Sequence, residues 1–257
     1  MADIRKARLL SSVKEGGEAR LLRFSSASTT QDGFAFTGGQ YIILNTGIPL
    51  PDGKVAKRAY SLLSSDADPG TFEIAVRRVG SGPGSNYLLD LQPGSEIQFS
   101  GPWGKYLPLP ATDDDPQPPT LIVATDTGIT AALGLLSGQS FAPQRQHTRL
   151  VWLRDSDDYF LPESVVRERL GNGLSPEAFE VHDVPFDSDA RVTWLQQNAE
   201  RIVPDTALRA AYLSGDGFLL AAFRDRLNAL PSAPKLFIES FFHHQLLKDP
   251  AKGAASS

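Results

Sequence analysis

The sequence predicts two domains in series: an N-terminal antiparallel β-barrel over residues 1–109, then a Rossmann-like α/β domain with a parallel sheet over residues 120–257. Three observations lead there. From Ile4 to Leu109 short β-type runs are broken by Gly, Pro and Asp, the spacing of a closed antiparallel barrel. From Thr120 onward apolar strands alternate with helical stretches, the pattern of a parallel sheet covered on both faces. Between them, residues 110–119 (PATDDDPQPP) are rich in Pro and Asp, which pack and pair poorly and so read as a linker. A chain of 257 residues is long enough for two modest cores.

Taken in order, the predicted barrel strands are 19–24, 40–44, 58–63, 71–78 and 95–100. Residues 85–89 (SNYLL) read as a short helix capped by Ser85 or a neighbour. In the second half, a strand over 120–124 leads through a Gly-containing turn into a helix over 128–136. A strand at 149–153, a helix at 163–170, a strand at 179–182, a helix around 190–199 and a strand at 211–214 follow. The helix after Gly217 carries Leu220, Phe223, Leu227 and Leu230 at spacings of three and four, one apolar stripe to lay on the sheet.

Composition excludes several functions. With no cysteine, disulfides, thiolate catalysis and Cys-ligated zinc or iron-sulfur centres are ruled out within the chain. A formal charge of -5 and a pI near 5.4 give no footprint for phosphate backbones, so no nucleic-acid partner is expected. The start, MADIRKARLLSSV, has basic residues but no apolar core, and no stretch reaches bilayer length. A cytoplasmic monomer without membrane attachment is the expectation. The adjacent His243 and His244 have no carboxylate at ligand spacing, so no metal site is expected.

The segment KRAYSLLS (57–64) is the most informative. Strand alternation puts Arg58 and Tyr60 on one side and Ser61 on the other. A guanidinium can grip a diphosphate, a phenol ring can cover a heterocycle, and a hydroxyl can donate to a ring nitrogen; a flavin dinucleotide needs all three. The same residues also suit an ordinary amphipathic barrel strand. Downstream, VRRVG (76–80) runs into GPGSNYL (82–88), a Gly-rich loop entering a helix. Backbone N–H groups at that helix start, with a hydroxyl beside them, make an anion site, although Gly and Pro between strand and helix also make a plain turn.

The order RAYSL, VRRV, GPGSNYL, LQPGSEI, GPWGKYL resembles the FAD-binding half of the ferredoxin-NADP reductase family. The resemblance implies that Arg58 and Ser85 bind the FAD diphosphate, Tyr60 stacks on the isoalloxazine and Ser61 lies near flavin N5. Ala59, Val76, Arg77, Arg78, Gly84 and Asn86 fall within the same cofactor-binding motifs. Tyr106 stands where the family usually has Phe. In the second half, ATDTGITA (124–131) sits where the family carries a Gly-rich loop at the dinucleotide diphosphate, implying contacts from Thr127 and Gly128. Asp126 replaces a glycine there and Ala131 a proline, and a carboxylate beside a diphosphate repels it unless it turns away.

YLSGDG (212–217) occupies the position of a strand end where the family places a cysteine beside the hydride path; here it is Ser214. IESFF (238–242) resembles the terminal segment with a carboxylate near the flavin and an aromatic over its face, implying roles for Glu239 and Phe241; Phe242 reads equally as core. Ser61, Ser214 and Glu239 are thus the candidate catalytic residues. Arg154 matches a position used on the adenosine side. In FDSDAR (186–191) Asp189 follows Ser188, where NADPH users of the family commonly carry Arg after Ser or Thr; it would repel a 2′-phosphate, which leans towards NADH with NADPH open because Arg191 can fold back.

The implied activity is hydride transfer from NADH or NADPH to FAD, with electrons then passed to a ferredoxin, a flavodoxin or an oxygenase component; free-flavin reductases share the motifs. Two rivals remain: an FAD-binding interaction or regulatory subunit that has lost nicotinamide use through Asp126 and Ser214, and a barrel binding protein with no flavin.

Overall fold

The computed structural model describes residues 4–16, 19–26, 34–78, 80, 83–110, 118–155, 160–185 and 188–242. Six antiparallel strands form the first sheet: β1 (Arg5–Lys14), β2 (Ala19–Ser25), β3 (Tyr41–Pro49), β4 (Val55–Ser61), β5 (Thr71–Arg77) and β6 (Glu96–Trp103). They are ordered β4-β3-β6-β1-β2-β5. The Leu63 N–H, just past β4, donates to the Glu73 carbonyl of β5 at 2.8 Å, so the two edges meet and the sheet curls shut, which leaves no edge open there. The helix α1 (Pro83–Asp90) follows β5. Inside, Phe34 packs edge-on against Phe99 and Phe72, and Phe24 stacks on Phe72.

β1 was absent from the strands expected from sequence. Its residues RKARLLSSVK put only Ala7 and Leu9 into the core, too few apolar positions to signal an alternation.

The second sheet is parallel: β7 (Thr120–Thr125), β8 (Thr148–Asp155), β9 (Phe179–Val184), β10 (Ala210–Asp216) and β11 (Lys235–Phe242), ordered β11-β10-β7-β8-β9. Every residue of β7 is buried, as expected of a central strand covered on both faces. The helices are α2 (Ile129–Ser137), α3 (Glu163–Leu170), α4 (Ser188–Ile202) and α5 (Gly217–Asn228). The α4 and α5 face is closed by Leu195, Leu220, Phe223 and Leu227. The opposite face, under α2, belongs to a cluster that also takes in Leu21, Leu63, Ala75 and Tyr106 of the barrel half. One apolar core therefore runs from the parallel sheet through α2 into the barrel.

α2 sits there because it is apolar on every side; its residues from Ile129 to Leu136 are all buried. A Cβ on Gly134 would lie 2.0 Å from the Leu62 carbonyl oxygen, so only glycine lets the helix approach β4 so closely. Of the expected linker, Pro110, Pro118 and Pro119 are described and residues 111–117 lie outside the described residues.

Candidate functional site

The sheet order places β7 at the centre, with β8 and β9 on one side and β10 and β11 on the other. The chain reverses its direction of winding between β7 and β10, and a crevice opens at the carboxyl ends of strands at such a point. A cleft of about 550 Å³ lies there, lined by Thr125, Asp126 and Thr127 after β7, Leu153–Asp155 of β8, Val184, Arg191, Asp216 and the terminal Phe241 and Phe242. Arg77, at the end of β5, reaches in from the barrel.

The turn after β7 is a short 3-10 segment, Asp126–Gly128. Asp126 has φ of 44°, a left-handed conformation that glycine takes freely and Asp tolerates at a cost; this explains why a glycine belongs there in the resembled pattern. Its carboxylate accepts from Arg77 Nη2 at 2.8 Å across the domain junction, and both residues line the cleft. Burial pushes the Asp126 carboxyl up in pKa, against the pull of Arg77. Trp152 Nε1–H donates to the Asp126 carbonyl at 3.0 Å, and Arg154 lies over the Trp152 ring. Arg154 is held by Asp183 of β9, whose carboxyl it keeps below the usual range. Arg191 donates to the Pro185 carbonyl and stands 3.5 Å from the Asp216 carboxylate. Phe186 and Asp187 lie outside the described residues.

On the barrel, Arg58 is exposed, and among the described residues its guanidinium donates only locally, to the Lys57 carbonyl at 2.7 Å. Its stem lies on Gly84 at the start of α1, where a Cβ would stand 2.4 Å from Arg58 Cγ. The Arg58 stem is thereby packed on the first turn of α1, the turn that also carries buried Ser85. Arg78 donates to Asn86 Oδ1 at 2.7 Å and so ties the end of β5 to α1; Val79, Ser81 and Gly82 lie outside the described residues. Tyr60 is half-buried against the barrel core, and burial raises its pKa to about 12. Ala59 is exposed beside it. Ser61 is 7% exposed, and its hydroxyl has no hydrogen-bond partner among the described residues.

Glu239 of β11 approaches the barrel beside Gly104 and Tyr41: a Cβ on Gly104 would fall 3.6 Å from Glu239 Oε2 and 3.1 Å from the Tyr41 ring. Tyr41 pairs with Ser61 in the ladder, so Glu239 and Ser61 flank the same corner. No cation answers Glu239 among the described residues, and burial raises its pKa to about 7. Trp103, which pairs with Tyr41, is 40% exposed. The sequence reading missed Tyr41, Trp103 and Gly104, although the GPWG run carried two of them.

Three expected site residues stand differently from the reading. Ser214 has no exposure: its hydroxyl donates to the Gly128 carbonyl at 2.9 Å and accepts from Tyr106 at 3.3 Å, so it cannot touch a substrate in the cleft. Gly128 turns its Cα towards β10, where a Cβ would lie 2.1 Å from the Ser214 carbonyl oxygen; it serves close packing rather than approach to a diphosphate on that side. Val76 faces the barrel core at 1% exposure, which leaves only its backbone for a ligand. Phe241 packs on the junction core, and Phe242 is the more exposed of the pair at 52%.

These residues fit a flavin dinucleotide. An arginine whose stem packs on a helix start suits a diphosphate, and the half-buried Tyr60 ring with the Ser61 hydroxyl, unpaired among the described residues, suits a heterocycle bearing ring nitrogens.

Residues 6–107 match the family model of the oxidoreductase FAD-binding domain. The chain is 40% identical over 150 residues to ferredoxin--NADP reductase B of Sorangium cellulosum, covering 58% of this chain and 57% of that protein. It is 33% identical over 103 residues to the glycine betaine monooxygenase reductase subunit of Chromohalobacter salexigens, covering 40% of this chain and 26% of that one. The matches thus span about half of the first relative and a quarter of the second. Among solved structures, the flavohem-like FAD/NAD binding domain of nitric oxide dioxygenase from Vibrio cholerae aligns with a TM-score of 0.68 at 17% identity, covering 93% of this chain and 98% of that one. Phthalate dioxygenase reductase aligns with a TM-score of 0.66 at 19% identity, covering 93% and 68%; at these identities the likeness is one of fold.

Proposed function

We propose that the chain is a member of the ferredoxin-NADP reductase family of FAD-dependent oxidoreductases, a reading supported by the FAD-binding domain match over residues 6–107 and by the 40% identity to one such reductase over 150 residues, and that the protein is a cytoplasmic, monomeric NAD(P)H-dependent flavoprotein reductase. Residues 1–109 hold FAD, residues 120–257 hold the nicotinamide dinucleotide, and the electrons go to a ferredoxin, a flavodoxin or an oxygenase component. The observation that carries this reading is the convergence, at one junction, of the Tyr60–Ser61 corner of the barrel, Glu239 and the cleft at the strand ends. When bound, FAD supplies a hydride acceptor that can release electrons singly.

The chain's own residues bind, orient and hold protons. Arg58 and the N-terminal end of α1 hold the diphosphate. Tyr60 covers the ring system, and Ser61 hydrogen-bonds at its edge. Glu239, with a pKa of about 7, keeps a proton available at the corner beside Tyr41 at neutral pH. Phe241 and Phe242 close the junction side of the cleft and keep water from the reacting face. The cleft lining sets Arg77, Arg154 and Arg191 against Asp126, Asp155 and Asp216, and Arg154 is further neutralised by Asp183. That balance favours NADH over the more highly charged NADPH.

Anaerobic mixing of the FAD-loaded protein with NADH, and separately with NADPH, tests the reading. Bleaching of the flavin visible band, faster with NADH, is expected. A tightly bound flavin that neither nucleotide bleaches would overturn it in favour of a non-catalytic FAD-binding subunit.

A further inference from the structure

Two positions that depart from the resembled sequence pattern, Tyr106 and Ser214, meet in the fold. The Tyr106 hydroxyl donates to Ser214 Oγ at 3.3 Å, and Ser214 Oγ donates to the Gly128 carbonyl at 2.9 Å. Tyr106 is 1% exposed and Ser214 is fully buried, so no water competes for these bonds. Each end of the chain of bonds is anchored. The Tyr106 carbonyl presses on Gly39 of the barrel, where a Cβ would lie 2.0 Å away. The Tyr106 ring stands edge-on to Tyr212 at 5.3 Å. The Tyr212 hydroxyl in turn donates to the Leu107 carbonyl and accepts from the Leu109 N–H. At the other end, the Gly128 carbonyl belongs to the turn that carries Asp126 and Thr127 into the cleft.

We propose that Tyr106 and Ser214 form a coupled positioning pair that sets the Asp126–Gly128 turn in register with the barrel, and so fixes the dinucleotide cleft relative to the flavin corner. The inference rests on reading the cleft as the nicotinamide dinucleotide site. Neither residue touches a ligand; they act through the backbone of the turn. Their effects are interdependent because a buried donor that loses its acceptor is costly, whereas a pair made apolar together is not. Ser214→Ala leaves the Tyr106 hydroxyl without its acceptor and removes the side-chain donor from the Gly128 carbonyl. Adding Tyr106→Phe removes the stranded hydroxyl.

The test compares wild type, Y106F, S214A and the double variant, each FAD-loaded, by calorimetric titration with NADH and NADPH and by urea unfolding. S214A is expected to weaken dinucleotide binding about tenfold, a coupling of the size seen between residues in contact, and to lower the unfolding midpoint. Y106F alone weakens binding less. The double variant binds no more weakly than S214A and regains part of the lost midpoint, and FAD retention is unchanged throughout. If S214A does not fold, Ser214→Cys, which keeps the volume and weakens both hydrogen bonds, takes its place with the same non-additivity expected. Losses that simply multiply, or four proteins with equal dinucleotide affinity, overturn the pair. Wild type that binds neither dinucleotide overturns the reading of the cleft, and the positioning claim with it.

Discussion

Among the described residues Arg58 makes one local hydrogen bond, and it is exposed, so its removal should cost binding rather than folding. Arg58→Ala is expected to weaken FAD retention by about tenfold or more, the loss of a charge-assisted contact, with an unchanged unfolding midpoint; titration of the apoprotein with FAD, followed by flavin fluorescence, checks it. Asp126 is the opposite case, because it pays for a left-handed φ of 44° and places a carboxylate in the cleft. Asp126→Gly relieves both, and severalfold tighter dinucleotide binding is expected in the same calorimetric titration. Weaker binding would instead make the Arg77 tie the dominant effect. The sequence alone exposed Asp126 as anomalous but not its partner: Arg77 lies 49 residues away on the other sheet, and no local pattern encodes that pairing. That Arg58, Tyr60 and Ser61 share one strand was legible because strand patterning acts between neighbours. Ser214 was misread because burial at a junction depends on what packs across it.

At the scale of elements, α2 decides how the two halves meet. Its boundaries were legible to within a residue, since an apolar run after a Gly turn announces itself; its burial on every side was not, since the covering barrel surface is remote in sequence. Gly134→Ala measures that contact. Alanine gains about 1 kcal/mol of helix propensity over glycine, but its Cβ would sit 2.0 Å from the Leu62 carbonyl oxygen, so either α2 or β4 must retreat. Overpacking of this kind costs about 1–3 kcal/mol, and backbone gives way less readily than a side-chain tip. A net loss of stability in urea denaturation is expected. A gain of stability would mean that the junction opens freely and that α2 is not a fixed spacer.

For the molecule as a whole, the shared core and the polar ties Arg77–Asp126 and Arg169–Glu73 join both sheets into one unit, and Glu239 lies in the junction with a carboxyl that burial raises from 4.5 to about 7. The folded chain therefore holds this proton to about neutral pH, whereas the unfolded chain releases it near the ordinary carboxyl value. Between those two values the folded state binds more protons, so stability falls as pH rises and the loss is complete above the folded value. Asp126 is shifted in the same direction. Glu180 and Asp183, both lowered by arginines, act on the acid side, where their contribution disappears as pH falls below the ordinary carboxyl range, so the two windows separate. Glu239→Gln removes the junction charge while keeping its shape. It should be more stable than wild type by about 1–3 kcal/mol at about pH 8 and level with it at about pH 4, as read by urea unfolding at each pH. An E239Q protein with no advantage at the higher pH would mean that the folded carboxylate is solvated or paired there. The corner beside Tyr41 and Gly104 would then hold no proton for the proposed chemistry at neutral pH.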